Sequence, residues 1–534
     1  MSRQDEQLNK ILYTHYAMNK RITLPVLLAA LLLGPLWNPK AYAQELQPVS
    51  EAPSVYSPSS STQRADFSTR IFGLEQSIEY AKLNSPLSRA ARFALLSAMW
   101  RYKSFRADLL PSFSLNGDAP NYNKSIFSNT LDDGTVTFSS RTQSEASLGV
   151  SIDQNIMPTG GRLSLSSGLT RLGIFQNENT YLWQSTPLVA SYRQPLNQFN
   201  SLKWRAMTEP LRFQIAQKQF VEDMENLAFT VTQNFFDLLL AKINVEVAEF
   251  NVTVNDSIYN ISQGRFQVGS IAENELLQSE LEFRNARNSL TTARINYLRI
   301  EEEFKALLGL DDDEEIEIIV PSVAPSFELD VEKAYELARE NNSTALQFEL
   351  NELLADQTYD QARKSTGLSA TLQASFGLNQ TSTDFNTLYE DPQDRQFFSV
   401  GFEIPVFNWG KNQAEIKSAR NDQMETANTI AYQKRQFELS IKSTVREFPQ
   451  LRDQVELARI SDEIATRRYD VSKNRYLIGR IDVTNLFIAQ NEKDGARRNY
   501  IQSLRSYWTG YYNLRRLTLF DFEQNEPILY STDF

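Results

Sequence analysis

One long segment occurs twice in this chain. Residues 265–310 and 475–520 align without a gap at a shift of 210 residues, and they begin with RFQVG and RYLIG. A repeat of this length indicates that the molecule is built from two similar units that pack on one another. Each copy has a glycine close to the start of a long helical pattern. The repeated unit is therefore predicted to be a helical hairpin with the glycine at its bend.

Each half of the chain is predicted to contain a helix, strands, a long helix, a bend and a second long helix. The first repeat covers residues 66–309 and the second covers 329–520. An acidic linker, residues 310–328, separates them, and a C-terminal tail follows at 521–534. The two repeats share these segments in the same order, which favours one duplicated body over several unrelated domains.

The predicted helices are unusually long. No glycine interrupts the runs from Leu211 to Gln263 and from Ala414 to Tyr476. Fifty helical residues span about 75 Å, which exceeds the size of an ordinary globular domain. Pro449 is expected to kink the second run, because proline removes one hydrogen bond and clashes with the preceding turn. The arms after the bends carry apolar residues seven apart, which predicts coiled-coil packing; in the first arm these are Leu276, Phe283, Leu290, Tyr297 and Phe304.

The N-terminus has the features of an export signal. A basic stretch and an apolar run precede an Ala-x-Ala cleavage site that ends at Ala43. Residues 1–43 are therefore predicted to be a signal peptide that is removed, whether translation begins at Met1 or at Met18. Residues 44–65 are rich in Ser, Pro and Glu and are predicted to form a disordered leader.

Composition excludes several kinds of active site. The only histidine is His15 and the chain has no cysteine, so the processed chain has neither residue type. Ser-His-Asp triads, Cys-His pairs, Cys/His zinc sites and disulfides are then impossible. Catalysis by carboxylates alone remains possible, but no spacing of acidic residues points to it, and we predict no enzymatic activity, no cofactor and no metal site. Removal of residues 1–43 leaves 49 basic and 64 acidic residues, a net charge of −15. Such an acidic surface argues against a nucleic acid partner.

Two segments in the second half alternate apolar and polar residues. Residues 368–378 and 396–406 each contain 11 residues, and a tilted transmembrane strand needs about 9–11. The alternation predicts one lipid-facing side and one side facing a water-filled lumen, with Gln373 and Glu403 on the lumen side. A soluble sheet with the same alternation is the alternative.

The first half contains four more candidate strands, with long polar loops at 118–145 and 171–186. They are residues 112–117, 146–155, 162–169 and 187–196. The chain would then supply either four or six strands in all. The good alternation of 146–155 and 162–169 around the tight turn at 157–161 favours six.

These features resemble the TolC family of outer-membrane efflux and secretion channels over about residues 72–520. The resemblance rests on the paired Arg-aromatic-x-x-Gly bends and on the strand-to-helix passages at 194–196 and 404–410. It implies a mixed α and β membrane protein that forms a homotrimer. The protomers would share one β-barrel, surrounded by outer-membrane lipid and continued by a long periplasmic α-helical coiled-coil barrel. Such channels are passive, and they dock with a periplasmic adaptor protein and an inner-membrane transporter.

The resemblance also implies roles for the bends. In the family the bends form periplasmic tips that meet the adaptor, which points to Arg265, Gly269, Arg475 and Gly479. The family closes its entrance with hydrogen-bonded and ionic links between neighbouring helices. By position these links fall on Glu275, Tyr476 and Ile481, with Arg480 beside the isoleucine that stands where an arginine is expected. The positions of the family's acidic rings fall on Asn485 and Ile488, which supply no carboxylate, so weaker cation binding is expected there.

The predicted function is the outer-membrane channel of a tripartite efflux pump, extending into the periplasm and passing small molecules. A type I protein secretion channel or a metal-ion efflux channel is the alternative within the same class. A periplasmic coiled-coil scaffold without a channel is the alternative from another class. It leaves the two alternating segments of 11 residues without a purpose.

Overall fold

A computed structural model describes residues 70–175, 179–321 and 327–530. The predicted signal peptide and leader lie outside these residues. The first half contains β1 (Arg70–Phe72), α1 (Leu74–Asn84), α2 (Pro86–Asp108), β2 (Ser112–Thr130), β3 (Val136–Ile156), β4 (Gly161–Phe175), β5 (Asn179–Leu196), α3 (Ser201–Gln267) and α4 (Glu273–Leu308). The second half contains β6 (Ile316–Ile318), α5 (Val331–Asn341), α6 (Thr344–Ser365), β7 (Ser369–Ser382), β8 (Gln393–Glu403), α7 (Lys411–Leu477), α8 (Val483–Thr518), β9 (Phe520–Asp521) and β10 (Glu526–Pro527).

The long helices of the two halves match in length and position. Helices α3 and α7 each have 67 residues, and α4 and α8 each have 36. The bounds of both pairs differ by the same 210 residues as the two copies of the repeated segment. At 1.5 Å per residue, α3 and α7 are each about 100 Å long. Within the described ranges, no helix combines the length and the apolar character needed to cross a membrane.

Proline lies inside both of the longest helices. Helix α3 begins at Ser201, ten residues before the predicted start, and Pro210 lies within it. The side chain of Asn200 caps this helix by accepting a hydrogen bond from the Lys203 amide at 3.0 Å. Helix α7 likewise continues through Pro449. A single missing hydrogen bond does not end a helix whose other bonds and packing remain.

The described strands include a six-stranded antiparallel sheet in the order β2-β3-β4-β5-β7-β8. The predicted loops at 118–145 and 171–186 are wrong. Strands β2 and β3 remain paired as far as Thr130 opposite Val136, and β4 and β5 as far as Phe175 opposite Asn179. A search for apolar residues at every second position does not detect these segments, because polar residues interrupt apolar ones such as Tyr122, Ile126 and Phe138 on the same face. At the other end, β8 stops at Glu403 rather than 406, where Pro405 offers no backbone donor.

The strand register separates apolar from polar residues. Ala370 lies opposite Phe402, and Leu372 lies opposite Val400. On the other face Gln373 lies between Arg193 of β5 and Ser399 of β8. The apolar row extends across the sheet through Phe113, Ile152, Leu165, Ala190 and Phe376. One face of the sheet is therefore apolar and the other polar, and β2 and β8 are its two unpaired edges.

The main core lies among the helices. Phe235 and Phe236 of α3, Phe304 of α4 and Tyr507 of α8 have no exposed surface. The acidic linker adds to this core through β6, which pairs in parallel with β1. Gly510 lets α7 and α8 approach closely, since a Cβ there would lie 2.6 Å from Leu451 Cδ1.

A buried ionic cluster joins the C-terminal segment to this core. Glu225 of α3 is fully buried and accepts hydrogen bonds from Lys82 Nζ at 3.2 Å and Arg515 Nε at 3.1 Å. The Tyr530 hydroxyl also donates to Glu225, and Arg515 pairs with Asp521. Burial acts to raise the pKa of Glu225, but the charges of Lys82 and Arg515 and the Tyr530 hydrogen bond outweigh it, and the pKa lies below its ordinary value.

Candidate functional site: the ends of the helical hairpins

The two bends have the same backbone geometry. Gly269 has φ +69° and Gly479 has φ +72°. In the first bend the amide of Gly269 donates to the Phe266 carbonyl at 2.9 Å and that of Ser270 to the Arg265 carbonyl at 2.8 Å. The second bend repeats both bonds, which is the Schellman ending of a helix. A Cβ at either glycine would meet nothing within 4 Å, so glycine serves the left-handed backbone rather than close packing.

The helices that leave the bends begin differently. At the start of α8, the Asp482 carboxylate accepts hydrogen bonds from the Asn485 amide at 2.8 Å and from the Asn485 side chain at 3.0 Å. At the matching position before α4 stands Ala272, which offers no side-chain acceptor. The start of α8 is thus capped and that of α4 is not, and Asn485 takes part in this cap.

Arg265 links the two bends within the chain. Its Nη2 donates to the carbonyl oxygens of Tyr476 and Leu477, both at 3.2 Å, in the last turn of α7. Its guanidinium carbon also lies 5.0 Å from the centre of the Tyr476 ring. The last carbonyls of a helix carry partial negative charge and lack partners in the helix, so a cation there stabilises the end. Arg265 therefore caps a helix of the other repeat.

Tyr476 is a buried residue between the two hairpins. Its hydroxyl lies 3.3 Å from the Ser262 hydroxyl of α3. It packs in a small apolar cluster with Ile258, Tyr469, Val483, Leu486 and Phe487. Among the described residues the Glu275 side chain has no hydrogen bond or ion pair with Tyr476. Within one chain the structure therefore joins Tyr476 to Ser262 and Arg265, and the gate between neighbouring helices stays a prediction.

The remaining arginines of the bends are exposed. Arg475 and Arg480 have no side-chain partner in the part of the chain that is described. A further contact between the hairpins, which sequence reasoning missed, joins the Thr484 hydroxyl to Gln278 Oε1 at 3.3 Å. Ser262 was also missed, although it lies four residues after Ile258 and three before Arg265, on the same face of α3.

A polar layer crosses the interface farther from the bends. Asn251 of α3 donates to Asp494 at 2.7 Å and accepts from Gln490 at 2.7 Å. Lys493 Nζ lies over the rings of Phe250, at 4.0 Å, and Tyr469, at 4.6 Å. Burial, followed by the charge of Asp494, raises the pKa of Tyr469 to about 12. This layer fixes the register of α3 against α8, because a shifted register would bury these groups unpaired.

The predicted lumen residues lie on the polar face of the sheet. Gln373 and Glu403 are both exposed, and Glu403 lies opposite Ser369. The same face carries Arg162, whose Nε is 3.9 Å from Asp153. Within the described ranges, no group of three or more His, Cys, Asp or Glu residues is placed to hold a metal ion.

Comparison with known proteins gives a consistent set of relatives. The family model for outer membrane efflux proteins matches residues 159–310 and 334–518, more than half of the chain. The outer membrane protein TolC of Escherichia coli (strain K12) is 23% identical over 323 residues, which are 57% of this chain. The aligned region spans 65% of the length of TolC, slightly less than two thirds.

Solved structures of similar fold cover more of the chain. The CmeC outer membrane channel of Campylobacter jejuni has a TM-score of 0.61 at 16% identity, covering 86% of this chain and 87% of CmeC. The outer membrane protein VceC of Vibrio cholerae has a TM-score of 0.58 at 13% identity, covering 85% of this chain and 97% of VceC. At identities this low, the structural similarity establishes a common fold and nothing beyond the fold.

Proposed function

Because this chain belongs to the outer membrane efflux protein family, we propose that it forms the outer-membrane channel of a tripartite efflux pump. It is an outer-membrane efflux protein that extends into the periplasm. In the proposal three copies form one passive conduit for small molecules. A periplasmic adaptor and an inner-membrane transporter deliver the substrate, and the transporter supplies the energy.

The open sheet with one apolar face is the observation that carries this proposal. Edges β2 and β8 have unpaired backbone groups, and hydrocarbon cannot satisfy them. An eight-stranded barrel is filled by its own side chains, so six strands cannot enclose an aqueous pore. Three copies with six strands each, pairing β8 of one copy with β2 of the next, reach the range of about 16–18 strands that encloses a channel.

The hairpin ends are the proposed contact with the adaptor. Val268 and Gly269, and likewise Ile478 and Gly479, are exposed at the bends. An exposed apolar residue beside a tight turn is a suitable contact for a partner protein. Arg265 lies behind this surface and holds the two bends together, so its contribution to adaptor binding is to position them.

Substrate class is the part of the proposal that the transporter determines. Type I secretion and metal-ion export use the same kind of conduit, and a scaffold without a channel has no use for an apolar sheet face. Identification of the transporter that copurifies with the channel from intact membranes would distinguish small-molecule efflux, type I secretion and metal-ion export.

Reconstitution in a planar lipid bilayer tests the channel itself. The processed protein should give stepwise ion conductance, and native mass spectrometry in detergent should give the mass of three chains. A heat-unfolded sample at the same concentration serves as control. A folded monomer without conductance would refute the proposal.

A further inference from the structure

The apolar face of the six-stranded sheet ends in a small group of charged and aromatic residues. Strand β4 begins at Gly161 close to the helices, because Asn200 at the start of α3 donates to the Met157 carbonyl of the preceding turn at 2.8 Å. The other end of β4, at Phe175, therefore lies away from the helices. Under the proposed function the helices are periplasmic, so this far end belongs to the outward side of the membrane.

Arg171 is the first charged residue on this face of β4 on the way outward. The register places it on the apolar face, two residues after Leu169 and six after Leu165. It lies ten residues after Gly161, which is about 33 Å along a strand. With a tilt of about 45° the rise is about 23 Å, close to the height of the apolar band of a membrane barrel. Arg171 is thus at the level of lipid headgroups.

Aromatic side chains hold the Arg171 guanidinium in place. Its central carbon lies 4.3 Å from the centre of the Tyr181 ring and 5.4 Å from that of the Trp183 ring. Tyr181 is itself supported from below, since its ring and that of Phe175 both lie over Gly173, within 3.1 and 3.2 Å of a Cβ position there. A stacked guanidinium keeps its N–H donors free in the plane of the group. The stack therefore orients the donors without consuming them.

The charge of this face is not balanced around Arg171. On the described strands, the register gives this face three charged residues, which are Lys124 of β2, Arg171 of β4 and Asp394 of β8. Asp394 is three strands away from β4, at least about 14 Å across the sheet. Arg171 and Lys124 are exposed, and among the described residues no carboxylate pairs with either of them. Such a surface attracts an anion.

The loop between β7 and β8 lies beside this group without neutralising it. The Phe385 ring of this loop packs edge to face on Trp183, with ring centres 5.1 Å apart. The neighbouring Asp384 carboxylate accepts hydrogen bonds from the amide of Asn386 at 3.0 Å and from its side chain at 3.1 Å. The acid is thus bound within its own loop, and the two rings leave an apolar surface next to the Arg171 donors.

We propose that Arg171 binds a phosphate group of a phosphorylated glycolipid in the outer leaflet of the outer membrane. The planar guanidinium matches two oxygens of one phosphate, which is the strongest kind of charge-assisted pair. Trp183 and Phe385 offer apolar surface for the C–H groups of the attached sugar, and Lys124 adds positive charge. The inference rests on the proposed function, because that function places the apolar face of the sheet in lipid.

Native mass spectrometry in detergent measures this binding. The processed protein is titrated with diphosphorylated lipid A, with the same lipid after enzymatic removal of its phosphates, and with phosphatidylglycerol. Loss of the charge-assisted hydrogen bonds should make the dissociation constant of the dephosphorylated lipid roughly tenfold higher than that of the diphosphorylated lipid. Phosphatidylglycerol should bind more weakly than diphosphorylated lipid A, since it carries a phosphate but no sugar to pack on the rings.

Variants of Arg171 identify the binding residue. Arg171→Gln should raise the dissociation constant for diphosphorylated lipid A roughly tenfold. Arg171→Lys should recover only part of this loss, since lysine keeps the charge but not the planar fork or the stack. Tyr181→Leu keeps the arginine without its supporting ring and should give an intermediate loss. Arg162→Gln is the matched control and should change nothing, because Arg162 lies on the same strand but on the polar face.

The outcomes separate this inference from the proposed function. An unchanged dissociation constant in Arg171→Gln, or equal binding of the dephosphorylated lipid, would overturn the phosphate site while a conducting trimer stands. Equal binding of phosphatidylglycerol would overturn the assignment to a glycolipid. If Arg171→Gln does not assemble, Arg171→Lys and Tyr181→Leu, which keep the positive charge, decide the question, and unchanged affinity in both overturns the site. If the unmodified protein is monomeric and does not conduct, the proposed function fails together with this inference.

Discussion

At the scale of single residues, the glycine at each bend has a purely conformational task. Gly479 has φ +72° and open space around its missing Cβ. The prediction of glycine bends from the repeated RFQVG and RYLIG segments rests on this local property, which a single sequence reveals because it needs no distant partner.

The Gly479→Ala variant should therefore destabilise the folded protein by about 1–2 kcal/mol, the cost of a side chain in the left-handed region. Gly495→Ala is the matched control, because Gly495 lies inside α8 with nothing within 4 Å of its Cβ position. It should stabilise by about 0.5–1 kcal/mol. Denaturant unfolding followed by circular dichroism measures both, and a shift of the same sign in the two variants would contradict this account.

Substitution of the buried Glu225 should strongly reduce the free energy of unfolding. Glu225→Gln leaves Lys82 and Arg515 buried near one another without the carboxylate that pairs with both. We expect a loss of about 3–5 kcal/mol in the free energy of unfolding. Glu249→Gln removes an exposed pair with Arg294 and should cost less than about 1 kcal/mol. Similar losses of unfolding free energy in the two variants would contradict the expectation that burial makes the Glu225 ion pairs more important than the exposed pair.

The same carboxylate gives a pH dependence of known sign. The pKa of Glu225 is lower in the folded chain than its ordinary value of 4.5, so the unfolded chain binds the proton more readily. The stabilisation is complete above pH 4.5 and is lost as the pH falls through the folded pKa. The denaturant midpoint of the unmodified protein should therefore fall more between pH 7 and pH 3 than that of Glu225→Gln.

At the scale of elements, the sheet was partly predictable from sequence. Alternation located segments of β7 and β8 because their apolar residues recur at every second position. It missed the outer parts of β2 and β3, where polar residues such as Lys124, Ser128 and Ser140 interrupt the apolar residues on the same face. The pairing of β5 with β7 joins residues from the two halves, and no local pattern in either strand specifies that neighbour.

Glu403 tests which face of the sheet meets water. Glu403→Lys should shift the conductance toward anions without loss of assembly, because the residue belongs to the polar face with Ser369. Glu403→Gln should give an intermediate selectivity and serves as the neutral control. Selectivity is read from the reversal potential in a salt gradient. Loss of assembly would place the residue toward lipid, where lysine costs about 2–4 kcal/mol at the bilayer midplane.

The pairing of β5 with β7 depends on Gly377. A Cβ there would lie 2.4 Å from the Leu188 carbonyl oxygen and 2.8 Å from Val189 Cα. Backbone atoms cannot move aside easily, so Gly377→Ala should destabilise the sheet by about 1–3 kcal/mol. Gly401→Ala on β8 meets nothing within 4 Å and is the control. The fraction of heat-resistant folded protein on a gel should fall in the first variant alone.

At the scale of the whole molecule, the contact between the two hairpins is where prediction from sequence reached least far. Tyr476 was assigned to the links between neighbouring helices by its position in the family pattern, without a named partner. Its partners within the chain, Ser262 and Arg265, are more than 200 residues away in the sequence. Burial in such an interface is a property of two hairpins together, which explains why a single segment did not reveal it.

Tyr476→Phe tests the contact between the two hairpins. It removes the bond to Ser262 and keeps the carbonyl contacts of Arg265. We expect a higher basal conductance in planar bilayers, because a closing contact is weakened in every protomer. Glu275→Ala should have a smaller effect, since within one chain the described structure shows no hydrogen bond or ion pair between Glu275 and Tyr476. A larger effect from Glu275→Ala than from Tyr476→Phe would contradict this assignment.

The contact between Tyr530 and Glu225 also ties distant parts of the chain to one carboxylate. Glu225 lies on α3, and its three partners Lys82, Arg515 and Tyr530 come from α1, α8 and the segment after β10. Four parts of the chain must therefore be in place before this carboxylate has its full set of donors. A variant that ends before Tyr530 removes one donor from a buried charge, so it should unfold at a lower denaturant concentration than the unmodified protein.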